Sequence, residues 1–352
     1  MTRDMRAVVL TGHGGPDRLE YRTDVRRPLV GPDEVLIRLR ASAVNNTDIA
    51  FRENWYDHEE GTPGEPDRWP RIQGAGGAGI VEEVGVRVGD LAPGDVVLVD
   101  PFLRHPGLAG GPSLIALMGA AERDGCFADY VTVPRDNAVP AASDLTFAEL
   151  ACLPTAYQTA EEMQLRAGVD EGWTVLVTGA SGGVGSANVE LAKLRGATVI
   201  AVAGSSKRAG VEALGADHVI DRPGAHAEDV WGDLPPVDAV LDVTGGELTQ
   251  TWLEHLVTGG VYVTAGAIAG WSARIDLRTL IYNDLTVIGQ VVARREALVN
   301  LIRYAGEGRL TPRVARVFGL DDLPAAQAFF AAKDFVGKVV VEIDDAASPA
   351  RP

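Results

Sequence analysis

Cysteine is almost missing from this chain of 352 residues: Cys126 and Cys152 are the only two, and neither has another cysteine three positions away. A disulfide framework is thereby excluded, and both thiols are expected in the core. Lysine is scarce as well, with four residues in a basic complement that is otherwise arginine. No apolar run of 18 residues could span a bilayer, and no basic-apolar leader is read at the N-terminus, so the expected compartment is the cytoplasm, with no membrane partner. Positive charge is outnumbered, 32 Lys and Arg against 49 Asp and Glu, and the net charge of −17 excludes nucleic acid as the main partner. What is present in quantity is apolar: 46% of the chain is hydrophobic, enough for two domains with their own cores.

The most informative stretch is Val175-Leu-Val-Thr-Gly-Ala-Ser-Gly-Gly-Val-Gly-Ser186. An apolar strand runs into a glycine-rich turn that opens a helix over 187–194. Such a turn presents bare backbone N–H groups and a helix N-terminus to a pyrophosphate, so Ser181, Gly182, Gly183, Val184 and Gly185 are candidate dinucleotide ligands. Gly182 lets the backbone approach the phosphates, Gly185 lets the helix pack on the strand, and Ala180 stands where a first glycine is usual. Strands are expected at 197–203, 219–221, 237–242 and 261–264, the spacing of a doubly wound parallel sheet. After the second strand, where an NAD site places an acidic residue, stand Ser205, Ser206, Lys207 and Arg208. Two hydroxyls and two cations suit the 2′-phosphate of NADPH.

The half that precedes the fingerprint reads as β-rich, with short apolar runs at 6–10, 34–43, 79–84 and 95–100 punctuated by glycine and proline. Residues 314–343 read as strand, helix (323–332) and strand, and could complete that first domain. The pattern Thr178-Gly-Ala-Ser-Gly-Gly-Val-Gly185 also satisfies the glycine motif of short-chain dehydrogenases, but none of the seven tyrosines has the lysine four residues on that those enzymes need.

Taken in order, Arg6-Ala-Val-Val9, Gly31-Pro-Asp-Glu-Val-Leu-Ile37, Ala43-Val-Asn-Asn-Thr-Asp48, Gly77-Ala-Gly-Ile-Val-Glu-Glu-Val-Gly85, Gly94-Asp-Val-Val97, the nucleotide turn and Gly337-Lys-Val-Val-Val341 resemble the medium-chain dehydrogenase/reductase superfamily, in its zinc-free, quinone oxidoreductase-like branch. The resemblance implies an α/β fold of two domains. A GroES-like, partly barrelled β domain would take 1–140 and 312–352, and a Rossmann doubly wound parallel sheet 141–311, with the active site in the cleft between them. It also places Arg222, Gly266, Gln290, Val291 and Lys338 at the cofactor.

Zinc-dependent relatives place a cysteine ligand where this chain has Asn45, and a Gly-His-Glu where it has Gly74-Ala75-Gly76. The third ligand position falls close to Ala151, beside Cys152, and the segment 100–125 that would hold a structural zinc contains no cysteine. One thiolate cannot hold a zinc that wants at least three protein ligands, so no metal is expected. His58 and His105 are expected mainly at the surface. Without a Lewis acid, developing negative charge must be met by hydrogen-bond donors. Asn45, Thr47, Arg52 and Tyr56 are the candidates, and the resemblance sets their segment against the nicotinamide. Tyr56 is the expected proton donor, because a phenol stays protonated at neutral pH. Ala50 and Arg222 stand where quinone reductases often carry tyrosine. The loop 55–69 is long enough to act as a lid.

The resulting expectation is an NADPH-dependent, zinc-independent oxidoreductase that transfers hydride to an activated double bond or a quinone of a small-molecule substrate. A zinc-free alcohol dehydrogenase or carbonyl reductase, and a non-catalytic NADPH-binding structural or regulatory protein, stay open as alternatives. Relatives pair through an edge strand of the nucleotide domain, and the apolar run 285–292 predicts a homodimer.

Overall fold

The computed structural model describes residues 4–55, 69–103, 117–120, 123–141 and 143–344. The chain divides into two compact units, one made of Met1–Thr155, Leu298–Asp334 and Lys338–Pro352, the other of Ala156–Ala297 and Phe335–Gly337. None of the described helices is long and apolar enough to cross a membrane.

The first unit is β-rich, as expected. Its seven-stranded sheet runs in the order Val314–Gly319, Lys338–Glu342, Glu34–Ala43, Gly77–Val84, Val96–Val99, Ala138–Pro140, with Tyr130–Pro134 also paired to Glu34–Ala43. Glu34–Ala43 is bonded along both edges and is buried at Val35, Leu36, Ile37, Leu39 and Ala41, while Arg38 and Arg40 alternate with the last two and are half-buried. A three-stranded sheet of Leu19–Arg26, Asp4–Leu10 and Arg71–Ile72 completes the β structure. At the end of Glu34–Ala43 the chain turns into the short helix Asn46–Arg52, whose N-cap is Asn45. The C-terminal segment returns as strand, helix Leu323–Ala332 and strand, and inserts Lys338–Glu342 beside Glu34–Ala43.

The second unit holds a six-stranded parallel sheet in the order His218–Asp221, Thr198–Ala203, Thr174–Val177, Val237–Asp242, Leu256–Thr264, Thr286–Gly289. The chain starts in the middle, winds outward twice, then crosses back to wind the other way. The reversal, between Thr174–Val177 and Val237–Asp242, is the crevice that α/β folds use for nucleotides. Successive residues serve opposite faces: Val175, Val177, Val199, Ala201 and Leu241 pack with Met163, Val189 and Val211, whereas Leu176, Ile200, Val202 and Val240 pack with Trp252 and Leu253. Full burial of each such aliphatic side chain stabilises by about 1.5–3 kcal/mol, so both faces need a helical cover. Among the described residues Thr286–Gly289 is bonded on one side only, to Leu256–Thr264, and Ile281, Tyr282, Val287 and Val291 around it are exposed.

Candidate active site

In the second unit, strand Thr174–Val177 ends in the glycine turn. Gly179 adopts φ +56°, and Gly182 caps the helix Gly183–Leu194 with extended backbone. Gly182 N–H donates back to Gly179 O at 2.9 Å and Ala180 N–H to Val202 O at 3.1 Å, which fixes the turn on the sheet. A Cβ at Gly185 would lie 2.1 Å from Gly179 O, so only glycine lets the helix start this close to the strand. The N–H groups of the first helical turn, Gly183, Val184 and Gly185, have no acceptor within the helix and form an anion cradle. Ser181 is half-buried, and its carbonyl accepts from Gly337 N–H at 3.1 Å.

At the same end of the sheet, Ser205–Lys207 forms a 3-10 turn after Thr198–Ala203. Ser205 and Arg208 are exposed and Lys207 half-buried, and the Arg208 guanidinium lies 3.6 Å from Glu212. The parallel register sets Asp221 beside Ala203, so a carboxylate reaches this corner from the neighbouring strand. Its Oδ1 is buried and has no hydrogen-bond partner among the described residues. Reading along the chain missed it, since the acidic residue comes from across the sheet rather than after the second strand. Arg222, next to it, is exposed.

Gly266, Gln290 and Val291 come together with Thr264, Trp271 and Gly289 around a pocket of about 390 Å³. The side-chain amide of Gln290 donates to Thr159 O at 3.0 Å, while its Oε1 is buried without a hydrogen-bond partner among the described residues. On the adjacent strand Asp242, fully buried and paired with Thr264, accepts from Thr178, Thr244 and Tyr262.

In the first unit the structure gathers Asn45, Thr47, Asp48, Arg52 and Lys338. Asn45 donates its backbone N–H to Asp48 Oδ2 at 2.8 Å and its side-chain Nδ2 to Ala43 O at 2.9 Å. Lys338 is buried, and its Nζ donates to Val44 O at 2.9 Å and Asn45 Oδ1 at 2.6 Å. Burial pushes the Asp48 carboxyl up to about 6, against the pull of the Asn45 N–H and the Lys338 charge. Burial likewise pushes the Lys338 ammonium down to about 8, opposed by Cys152 and Asp48. Thr47 Oγ1 is buried with no hydrogen-bond partner among the described residues. The Arg52 guanidinium is turned inward and bonded to Gly14 O at 2.6 Å, Gln327 Oε1 at 2.9 Å and Glu53 Oε1 at 3.0 Å. Tyr56, His58, the loop residues 56–68 and His105 lie outside the described residues.

Both cysteines are in the core, where burial pushes Cys126 up to about 12 and Cys152 Sγ donates to Ala148 O at 3.3 Å. Ala75 is buried, and among the described residues no three His, Cys, Asp or Glu side chains are grouped so as to hold a metal ion.

Two family models match the chain: "Alcohol dehydrogenase GroES-like domain" over residues 31–143 and "Zinc-binding dehydrogenase" over residues 183–306. Among curated proteins it is similar to 2-methylene-furan-3-one reductase of Solanum lycopersicum, with 30% identity over 96% of this chain and 79% of that protein. Among solved structures, a protein of Sinorhizobium meliloti 1021 provisionally described as an alcohol dehydrogenase shares 40% identity, TM-score 0.88, over 98% of both chains. A cobalt- and zinc-bound thermostable alcohol dehydrogenase of Pyrobaculum aerophilum shares 31% identity, TM-score 0.83, over 97% of this chain and all of that one, 100%.

Proposed function

This chain belongs to the medium-chain dehydrogenase/reductase superfamily, and from that premise we propose that it is an NADPH-dependent, zinc-independent reductase of an activated C=C bond or a quinone. The observation that carries the proposal is Asn45. By the sequence resemblance it stands where metal-dependent relatives carry a zinc ligand; its side-chain oxygen is taken by Lys338, and its amide nitrogen keeps one N–H beyond the bond to Ala43 O among the described residues. That position therefore offers a hydrogen-bond donor where a relative offers a metal.

The residues present fit the cofactor. A pyrophosphate suits the N–H groups of Gly183, Val184 and Gly185 at a turn that tolerates no Cβ at Gly185. Ser205, Lys207 and Arg208 suit a 2′-phosphate, and the Oε1 of Gln290, without a hydrogen-bond partner among the described residues, suits the carboxamide N–H of a nicotinamide. When bound, the cofactor supplies hydride from its nicotinamide ring. The chain's own task is to hold the substrate and to meet the negative charge that develops on the substrate oxygen with preorganised donors, each worth about 10²- to 10³-fold in turnover. In this proposal Asn45 and Tyr56 are those donors, and Arg52, held by Gly14, Gln327 and Glu53, fixes the helix end that leads to Tyr56.

Thr47 favours a second reading. A buried hydroxyl with no hydrogen-bond partner among the described residues can pass a proton to or from an alcohol oxygen, which suits a zinc-free alcohol dehydrogenase or carbonyl reductase. Steady-state assays with NADPH and NADH on cyclohex-2-en-1-one, 1,4-benzoquinone, hexanal and hexan-1-ol, with a chelator present, separate the two. NADPH-linked turnover of the enone or quinone supports the first proposal; turnover confined to hexanal or hexan-1-ol supports the second. Tight NADPH binding with no turnover at all leaves the non-catalytic alternative. The exposed Val287 on the edge strand Thr286–Gly289 supports a homodimer in the same proposal, checked by light scattering.

A further inference from the structure

We propose that Lys338 is a positioning residue, which fixes the Asn45 carboxamide so that it presents an N–H, and not its oxygen, to the reacting group. The inference rests on the proposal that Asn45 is a donor, and it assigns Lys338 a role within the first unit rather than at the cofactor phosphates.

Strand register brings the two residues together. Lys338–Glu342 lies antiparallel to Glu34–Ala43 with Val340 opposite Ala43, and Val44 N–H donates to Val339 O at 2.9 Å, which carries the pairing further. Two residues beyond the Val340 pair, the same register sets Lys338 opposite Asn45. Side chains directly opposite on antiparallel strands share a face, so the contact between residues 293 positions apart follows from the sheet.

Chemistry then fixes the orientation of the amide. An ammonium has donors only, so the atom of Asn45 that meets Lys338 Nζ at 2.6 Å must be the oxygen. A peptide carbonyl has only lone pairs, so the atom that meets Ala43 O at 2.9 Å must be the nitrogen. The two contacts agree, and a flipped amide would set donor against donor and acceptor against acceptor. With the Asn45 backbone N–H also held by Asp48 Oδ2, the residue is constrained at three atoms. One N–H of Nδ2 remains for a ligand, and the charge-assisted bond at the oxygen polarises the amide and strengthens that donor.

Burial argues that the arrangement serves more than packing. Lys338 is 1% exposed and Asn45 6%. Enclosing an ammonium is strongly unfavourable, and an apolar side chain is usually the more stable occupant of such a site. A lysine kept there in a chain with only four is explained by what it does to Asn45.

A double-mutant cycle tests this, using NADPH and the best-turned-over compound of the panel above. Asn45→Ala should lower kcat by about 10²- to 10³-fold, the size of a lost oriented donor, Lys338→Met should lower it by up to as much, and the double variant should fall no further than Asn45→Ala alone. The NADPH Kd should stay within about threefold in all of them, since a positioning residue acts on the donor and not on the cofactor. Multiplied losses in the double variant, or a tenfold rise in NADPH Kd in Lys338→Met, would overturn the inference. If Asn45→Ala is impaired and Lys338→Met is not, the inference fails alone; if Asn45→Ala keeps full turnover, the donor role of Asn45 fails first and takes the inference with it. Lys338→Gln, whose amide no longer forces one orientation, serves if Lys338→Met does not fold, and should also lose turnover. Independently of activity, in apoprotein labelled with ¹⁵N-asparagine the side-chain amide pair that vanishes in Asn45→Ala should move in the Lys338 variant. An unmoved pair means that the contact is absent and overturns the inference.

Discussion

Thr178 donates its hydroxyl to Asp242 at 2.5 Å, which ties the residue after strand Thr174–Val177 to the last residue of Val237–Asp242. The same carboxylate accepts the Tyr262 hydroxyl at 2.5 Å, the Thr244 hydroxyl at 2.8 Å and the Thr244 backbone N–H at 2.7 Å. Three adjacent strands are thus pinned at the end where the glycine turn begins. Burial, and then Asp242, pushes Tyr262 upward, so its hydroxyl stays a donor.

Asp242→Ala strands these donors in the interior. Each buried unsatisfied group costs about 1–3 kcal/mol, so the variant should lose at least about 3 kcal/mol of stability in urea denaturation. Its NADPH affinity should fall as well, because the turn loses its anchor. A loss below about 1 kcal/mol would show that the network contributes little.

Cofactor choice should follow from Lys207 and Asp221. Lys207→Ala should erode the preference for NADPH over NADH by about 1–3 kcal/mol, the range for hydrogen bonds to charged groups. Asp221→Asn should move the preference the other way, since removing a carboxylate from that corner favours a phosphate. Fluorescence titrations with both cofactors decide this, and equal affinities in the unmodified protein would sink it.

Asp48 should leave a mark on the pH dependence of folding. Its carboxyl stands at about 6 in the folded protein because of burial, against about 4 in an unfolded chain. A carboxyl whose folded pKa is raised binds its proton more tightly when folded, so its contribution is fully present below about pH 4 and is lost as the pH climbs through 6. The loss should amount to about 3 kcal/mol. Asp48→Asn should flatten that fall between pH 4.5 and 6.5; a parallel pH profile in urea denaturation would contradict the assignment.

Much of the second unit was legible because parallel strands buried on both faces are continuous apolar runs, and those at 197–203, 219–221 and 237–242 lie within a residue of the observed strands. Leu256–Thr264 starts earlier than its apolar end, since Gly259 and Gly260 look like a turn and Gly259 does adopt φ +81°. Leu19–Arg26 escaped notice for the opposite reason: most of its residues are exposed or half-buried, so no apolar pattern marks it. The glycine turn and Asn45 could be read locally. Lys338 against Asn45 and Asp221 beside Ala203 could not, because both depend on strand register between residues far apart in the chain.

The proposed independence from zinc rests on Asn45 and Ala75, which by the sequence resemblance stand where metal-dependent relatives carry ligands. Prolonged chelation should leave both Tm and turnover unchanged, since no metal would contribute to folding or polarise the substrate. Stoichiometric zinc in the purified protein, measured by elemental analysis, would refute this.

Tyr56 is the last and most exacting case. If hydride is delivered to the β-carbon of an enone, negative charge gathers on the carbonyl oxygen, and a phenol that is protonated at neutral pH can meet it. Helix Asn46–Arg52 precedes Tyr56 in the chain by four residues, and its end is held by the buried Arg52 through Gly14 O and Gln327. Tyr56→Phe removes only the hydroxyl, so Tm should hold while turnover on the best substrate drops by about 10²- to 10³-fold. NADPH affinity should barely change, because the phosphate-binding residues belong to the turn at 181–185 and to 205–208. Arg52→Ala should behave differently: it breaks one buried and two partly buried bonds at the helix end and should lower Tm and turnover together. Full turnover in Tyr56→Phe would leave Tyr56 as a residue that shapes the loop and pass the donor role to Asn45 and Thr47.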